Sequence, residues 1–314
     1  METVFNTLVP VVLLVVLGFA LRAGGFLPAL FFSQLNRLVF WVALPAVLFL
    51  ETARAQVAAG AATRMAAAMF AANVLTALVA WGAGAAMRLP APSMRAFVQA
   101  AFRGNYAYVG LPVVFFALPE DAGRSSVIYL ALALLTIVNN MLAVAVLTPF
   151  ERGGESLWKL LARTAAKMLA NPLVISCFLG VLAAFLRIRF GLGIPDCLAR
   201  AVRATGNMSM GGALIALGAG IAPERLRGLL PRAAAATALR LVVCPLLGLA
   251  TTAMLGVVGD LRLAALLFIA TPAAVASYVM ADQMGADREL AGAVVVLSTL
   301  CALPTLAAVI LIGT

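Results

Sequence analysis

The chain has 314 residues, of which 64% are hydrophobic and 11% are charged. A water-soluble domain of this length could not hide so much apolar surface, so the composition predicts an all-α polytopic membrane protein embedded in a lipid bilayer. The net charge of +10 comes from basic residues scattered singly at the ends of apolar segments, which argues against a nucleic-acid partner. There is no histidine, and the four cysteines lack CxxC spacing, so we expect neither a metal site nor a cofactor.

Apolar segments of about 20 residues predict ten membrane spans. The first five are Val4 to Leu21, Ser33 to Leu50, Ala61 to Met87, Arg95 to Leu118 and Ser125 to Pro149. The second five are Ala166 to Leu186, Asp196 to Ile221, Leu230 to Val257, Arg262 to Gln283 and Leu290 to Ile310. Because the count is even, both termini share one side, and basic residues are more numerous on the connectors of the other side. The positive-inside rule therefore predicts a multi-pass protein of the plasma (inner) membrane with both termini outside and a cytoplasmic connector at 151–165.

Two pairs of prolines suggest that the two halves of the chain are related. Pro10 and Pro172 lie 162 residues apart, and each is followed by a glycine eight residues later. Pro112 and Pro272 lie 160 residues apart. Chance is the alternative, because both residue types are common in membrane helices. A true repeat gives a first half at 1–150 and an inverted second half at 166–314, with broken helices four and nine crossing near the midplane.

The fourth span carries the strongest helix-breaking pattern, from Arg103 through Asn105 to Pro112. Pro112 lacks an amide donor and blocks the carbonyl near Tyr108, so we expect unpaired backbone groups there. In hydrocarbon each such group costs several kcal/mol unless it lies inside the protein or lines a wet cavity. Thr271-Pro272 repeats the pattern in the ninth span. Because half-helix N-termini carry partial positive charge, the predicted ligand is a small organic anion.

Two arginines inside spans have two interpretations each. Arg103 could line the site or extend to the lipid headgroups, and Arg240 could bind carbonyls of a broken helix or contact substrate. No acidic residue lies mid-span, which leaves potential-driven uniport and ion coupling through neutral oxygens open. Other polar residues in spans, such as Asn73, are typical of contacts between helices. The candidate substrate-binding residues are Arg103, Gly104, Asn105, Tyr108, Gly110, Pro112, Asn139, Arg240, Thr271, Pro272 and Ser277.

These motifs resemble the auxin efflux carrier family, which includes bacterial permeases for malonate-like substrates and the plant PIN auxin carriers. The residues that carry the resemblance are Arg103-Gly104-Asn105, Gly110-Leu111-Pro112, Asn171-Pro172, Arg240 with Pro245, and Thr271-Pro272 with Ala276-Ser277. The resemblance implies two inverted five-helix halves, with helices 1, 2, 6 and 7 as scaffold and helices 3–5 and 8–10 as transport unit. It also implies a crossover at the two prolines, a substrate carboxylate at Asn105 and a homodimer formed through the scaffold. The chain lacks the long cytoplasmic insert of many plant members and the acidic residue that some carry in the third span.

The predicted function is a secondary carrier that moves a carboxylate, malonate-like or auxin-like, by alternating access. A sodium-coupled organic-anion symporter of the bile-acid type is the nearest alternative, because it would share the inverted five-helix halves. An enzyme is not expected, since the sequence has no HExxH, no GxSxG and no histidine for base catalysis. A membrane receptor without transport is the third hypothesis, but it would not need buried cations beside two helix breaks.

Overall fold

A computed structural model describes residues 2–54, 59–118, 122–148, 172–221 and 228–313. These residues form helices and short connections, and no strand occurs among them. The predicted cytoplasmic connector at 151–165, the first residues of the sixth span and Asn171 lie outside the described residues.

Fourteen α-helices are present in the described part of the chain. The first seven are α1 (Glu2–Ala23), α2 (Ala29–Leu38), α3 (Leu44–Arg54), α4 (Ala59–Ala86), α5 (Ala91–Phe102), α6 (Leu111–Ala117) and α7 (Ala122–Leu147). The other seven are α8 (Pro172–Phe190), α9 (Asp196–Ala219), α10 (Leu230–Ala238), α11 (Cys244–Met254), α12 (Gly259–Ile269), α13 (Ala276–Gln283) and α14 (Arg288–Gly313).

Seven helical runs among the described residues are long and apolar enough to cross a membrane, so the chain is a multi-pass membrane protein. They are Asn6–Ala23, Ala29–Leu50, Gly60–Ala86, Gly123–Leu147, Pro172–Phe190, Leu230–Met254 and Arg288–Ile312. The predicted fourth and ninth spans are absent from this set because each is broken into two shorter helices. The predicted seventh span is one helix, α9, but its first turns carry Asp196, Arg200 and Arg203.

Three prolines follow five-residue π-helical segments. Val39–Ala43 precedes Leu44-Pro45, Tyr106–Gly110 precedes Leu111-Pro112, and Leu239–Val243 precedes Cys244-Pro245. A proline ring clashes with the carbonyl four residues earlier in an α-helix, and a wider π turn moves that carbonyl away. The helix axis therefore continues through each of these prolines.

The described residues divide into two compact units. Unit 1 comprises those within Met1–Ala66, Ala107–Thr136 and Leu169–Ile221, and its main contacts join α3 to α8 and α1 to α9. Glycines permit the second contact, because a Cβ at Gly18 or Gly218 would collide with the backbone of Ile215 or Val15. These glycines therefore serve close helix packing.

Unit 2 comprises the described residues within Ala67–Tyr106, Ile137–Met168 and Ala222–Thr314. Its apolar core includes Phe97 and Phe102 of α5, Ala236 of α10 and Val294 of α14. This packing holds the two helix breaks described next.

Candidate functional site

Two interrupted helices meet in unit 2. The first break separates α5 from the π segment at Tyr106 and consists of Arg103, Gly104 and Asn105, while the second separates α12 from α13. The Asn105 N–H donates to the Pro272 carbonyl at 2.8 Å, and the Ala274 N–H donates to the Arg103 carbonyl at 2.9 Å. Gly104 lies opposite Ala273 as an antiparallel bridge. We call these two paired segments, 103–105 and 270–275, the crossover.

Glycine is required at position 104 of the crossover because there is no room for a Cβ atom. A Cβ at this position would collide with the Arg240 guanidinium and the Tyr106 ring, and it would lie 2.7 Å from the Thr271 hydroxyl. Only glycine lets the two backbones approach while a guanidinium lies against them. The predicted site residues Gly104 and Thr271 are thus close together.

The main-chain N–H groups of Asn105, Ala273 and Ala274 at the crossover are paired within the protein. Besides the two crossing hydrogen bonds, the Ala273 N–H donates to the Ser298 hydroxyl at 3.0 Å. The expectation that helix breaks at Pro112 and Pro272 leave main-chain donors free for an anion is therefore wrong for residues 105, 273 and 274. The physical reason is that each break supplies the partner that the other lacks, as buried backbone groups require.

Arg240 is fully buried, with 0% of its surface exposed, and it binds the ends of both interrupted helices. Its Nη1 donates to the Phe102 carbonyl at 2.6 Å, its Nη2 to the Ile269 carbonyl at 2.7 Å and its Nε to the Thr271 carbonyl at 2.8 Å. The remaining two N–H groups have weaker acceptors at 3.4 Å, among them the Cys244 sulfur and the Phe268 carbonyl. Because helix C-termini carry partial negative charge, this cation compensates α5 and α12 together. Of the two interpretations of Arg240, the geometry favours carbonyl binding.

A polar network lies beside Arg240. The Asn73 amide donates to the Tyr106 hydroxyl at 2.9 Å and to the Asn139 side-chain oxygen at 3.1 Å. The Tyr106 ring packs edge to face on Phe268 with centroids 6.2 Å apart, and the Arg240 guanidinium lies 5.8 Å from the Tyr106 centroid. The network thus links α4 and α7 to the crossover. Tyr106 and Asn73 were not among the predicted site residues, although Tyr106 lies inside the helix-breaking motif.

Three predicted site residues carry buried polar atoms without a hydrogen-bond partner. They are the amide nitrogens of Asn105 and Asn139 and the hydroxyl of Ser277. The exposed fractions of these residues are 3%, 4% and 0%. A buried donor without an acceptor costs about 1–3 kcal/mol, so such groups in a native protein need an explanation. A ligand with acceptor oxygens would supply the missing partners.

Arg103 is partly buried and has neutral partners. Its guanidinium donates to the Asn140 side-chain oxygen on α7 and contacts the Met280 sulfur on α13. Neither partner balances its charge, and no ion pair involves it among the residues that the structure describes. Arg103 therefore brings an uncompensated positive charge to the crossover.

Tyr108, Gly110 and Pro112 belong to the other compact unit, because the boundary between the units falls after Tyr106. Pro112 is the second residue of α6, and the wider π turn before it moves away the carbonyl with which its ring would otherwise clash. The prediction that Pro112 marks the break is wrong: the break lies at Gly104, and Pro272 alone of the two prolines is at the crossover.

The family model described as membrane transport protein matches residues 3–310. The chain belongs to the auxin efflux carrier family. The match covers nearly the whole chain and therefore includes both helix breaks and Arg240. A search of the curated proteins finds no match. Auxin efflux carrier family members are transporters rather than enzymes, and a transporter of this family binds a small substrate within the membrane.

Proposed function

We propose that this chain is a secondary carrier that moves a small organic anion across the membrane by alternating access. The observation that carries the proposal is the set of unpartnered buried groups on Asn105, Asn139 and Ser277. Asn105 follows Gly104 directly, Asn139 joins the network on Tyr106, and Ser277 lies in the first turn of α13. A carboxylate accepts several hydrogen bonds at once, so it matches a set of neutral donors.

The charge on this unit favours an anion over a neutral ligand. Arg103 has no ionic partner among the described residues, whereas Arg240 is compensated by carbonyls at two helix ends. The N–H groups of Arg240 bind backbone carbonyls, so we assign Arg240 a positioning role. Arg103 is then the cation available to a carboxylate, which suits both malonate-like and auxin-like substrates.

The proposed architecture has ten membrane helices in two inverted halves. Support comes from the two interrupted helices, whose breaks pair with each other at Gly104 and Ala273. Such repeats place the binding site where the broken helices cross.

The proposed scaffold is formed by helices 1, 2, 6 and 7, and the proposed transport unit by helices 3–5 and 8–10. Spans 1, 2, 6 and 7 fall in unit 1, and most of spans 3 and 8–10 falls in unit 2, which supports this division. Spans 4 and 5 contribute residues to both units. We further propose a homodimer in the plasma membrane with both termini outside, on the basis of the family resemblance and the distribution of basic residues.

The test is uptake into proteoliposomes with a panel of mono- and dicarboxylates. Asn105→Ala removes one unpartnered donor, so we expect uptake to fall by at least about tenfold, since a hydrogen bond to a charged group contributes about 1.5–3 kcal/mol. The matched control is Asn207→Ala, because Asn207 is exposed on α9. Equal melting temperatures for the two variants would show that the loss is not a folding defect.

Two outcomes would contradict the proposal. Full uptake by Asn105→Ala would remove this residue from the site. No carboxylate uptake by the unmodified protein, with a sodium gradient or a membrane potential imposed in separate runs, would contradict the anion-carrier function. Uptake that requires sodium would favour the symporter instead.

A further inference from the structure

Helix α5 carries polar residues on one face. Arg95 and Gln99 are four residues apart in α5 and lie on one side of the helix, and Arg103, a further four residues on, is the residue at which this helix ends. We call these three residues the α5 polar stripe. It begins in the first turns of α5 and ends at the crossover, two residues before Asn105. Val98, which directly precedes Gln99, packs into the apolar core of unit 2.

The α5 polar stripe faces α13 and the turn that follows it. The Met280 sulfur lies 3.8 Å from the Gln99 amide nitrogen and also contacts the Arg103 guanidinium. Farther from the crossover, Arg95 Nη2 donates to the Gly285 carbonyl at 2.9 Å. A single methionine therefore covers two of the three polar side chains. Methionine is flexible and can move between rotamers at low cost.

Part of the hydrogen-bonding capacity of the α5 polar stripe is not used within the protein. Gln99 is fully buried, yet its side-chain oxygen has no hydrogen-bond partner, and the Arg95 Nε is also unpartnered. Whichever way the Gln99 amide is turned, one of its two polar atoms contacts only the Met280 sulfur and the other has no partner. Buried polar side chains are nearly always hydrogen-bonded, so the incompletely paired Gln99 amide needs an explanation.

The stripe is positively charged. Neither Arg95 nor Arg103 pairs with a carboxylate in the part of the chain that the structure describes. The acidic residues beside the stripe are engaged elsewhere: Asp282 binds Arg288 at 3.1 Å, and Asp287 accepts from Ser93 at 2.7 Å. Two cations spaced along a helix attract anions and repel cations along the same path.

We propose that the α5 polar stripe is the route by which a small carboxylate moves between the end of unit 2 where α5 begins and the crossover, with Met280 as the side chain that closes it. This inference rests on the proposed anion-carrier function. Arg95 would receive the anion, Gln99 would offer its amide midway, and Arg103 would deliver the anion to Asn105. Movement of Met280 away from Gln99 and Arg103 frees both side chains for the ligand.

The test measures chemical labelling, which does not require transport. In a background without the native cysteines, Gln99→Cys is treated with an anionic methanethiosulfonate sulfonate and, separately, with the cationic trimethylammonium reagent. Relative to a free thiol in solution, we expect the anionic reagent to be favoured by about tenfold or more, because focused fields change such rates by about 10–10³-fold. Arg95→Gln in the same background should reduce this preference severalfold, and Met280→Ala should speed labelling. Val98→Cys is the matched control and should stay unlabelled.

Several results would overturn the inference. Gln99→Cys that stays unreactive even with Met280→Ala, or that reacts faster with the cationic reagent, would exclude an anion route along this face. If Gln99→Cys does not purify as a folded protein, Met280→Cys reports on the same face from α13 and must show the same preference for the anionic reagent. Charge-selective labelling without carboxylate uptake would support the stripe and contradict the proposed function, whereas uptake with cation-selective labelling would contradict the stripe alone.

Discussion

Replacement of Arg240 by methionine is the sharpest perturbation that the structure offers. Methionine keeps much of the length of the side chain and removes all five N–H donors. The carbonyls of Phe102, Ile269 and Thr271, which now accept at 2.6–2.8 Å, would be left without their partner in a buried position. Each stranded acceptor costs about 1–3 kcal/mol, so the total is about 3–9 kcal/mol. This is a large part of the about 5–15 kcal/mol by which native proteins are stable.

Arg240→Lys separates charge from hydrogen-bond geometry. Lysine keeps the positive charge beside the two helix C-termini but offers three donors from one nitrogen, not five in a planar fork. It cannot reach the Phe102, Ile269 and Thr271 carbonyls in their present directions. We therefore expect a melting temperature between those of the unmodified protein and of Arg240→Met.

The assay is thermal unfolding of the detergent-purified protein, followed by size-exclusion chromatography after stepwise heating. From the lower bound of about 3 kcal/mol, and about 2 °C per kcal/mol for a chain of this size, Arg240→Met should melt at least about 6 °C lower. Arg288→Met is the matched control, because Arg288 forms only exposed ion pairs with Asp282 and Glu289. We expect no measurable change there. If both variants melted alike, the guanidinium would not be holding the helix ends, and the positioning role of Arg240 would be refuted.

Two further substitutions test the crossover. Gly104→Ala should lower the melting temperature and abolish uptake, because the new Cβ collides with the guanidinium of Arg240, whereas Gly211→Ala has open space and should change neither measurement. Ser298→Ala strands the buried Ala273 N–H, so a loss of about 1–3 kcal/mol is expected in thermal unfolding. Thr299→Ala removes only a bond to a carbonyl of its own helix and should cost less, and a larger loss there would contradict this account.

The helix breaks were predictable in part from the sequence. The spans that contain them follow from the clustered Gly, Pro and polar residues, and both spans are broken in the structure. In the fourth span the sequence predicts the helix break at the proline, because proline is the residue that disrupts a helix most strongly, and this position is wrong. At Pro112 the preceding π segment absorbs the clash, and at Gly104 the helix stops because the second break and Arg240 occupy the space beside it. The partners of Gly104 lie far away in the sequence, so its role cannot be deduced from local patterns.

For the polar side chains of the site, the sequence predicts which residues take part but not which of their atoms are hydrogen-bonded. Asn105, Asn139 and Ser277 could be selected because polar residues are rare in apolar spans. The Asn139 side-chain oxygen is paired with Asn73, which also binds Tyr106, while the Asn139 amide nitrogen stays unpartnered, and none of this follows from spacing. Local reasoning about a broken helix also treats its backbone as unpaired, whereas here the second broken helix and Ser298 complete it.

The pairing of the backbone has a consequence for a carrier that must also move when it is empty. If the ligand were needed to satisfy main-chain donors, its release would leave orphan groups that cost several kcal/mol each within a membrane. In this chain the crossing bonds pair the N–H groups of Asn105 and Ala274, and Arg240 pairs three carbonyls at the helix ends, all without any ligand. Under the proposed function, the donors that change partners when substrate binds or leaves are side chains, which can rotate or bind a water molecule at low cost. The same backbone can therefore persist through the loaded and the empty parts of a transport cycle.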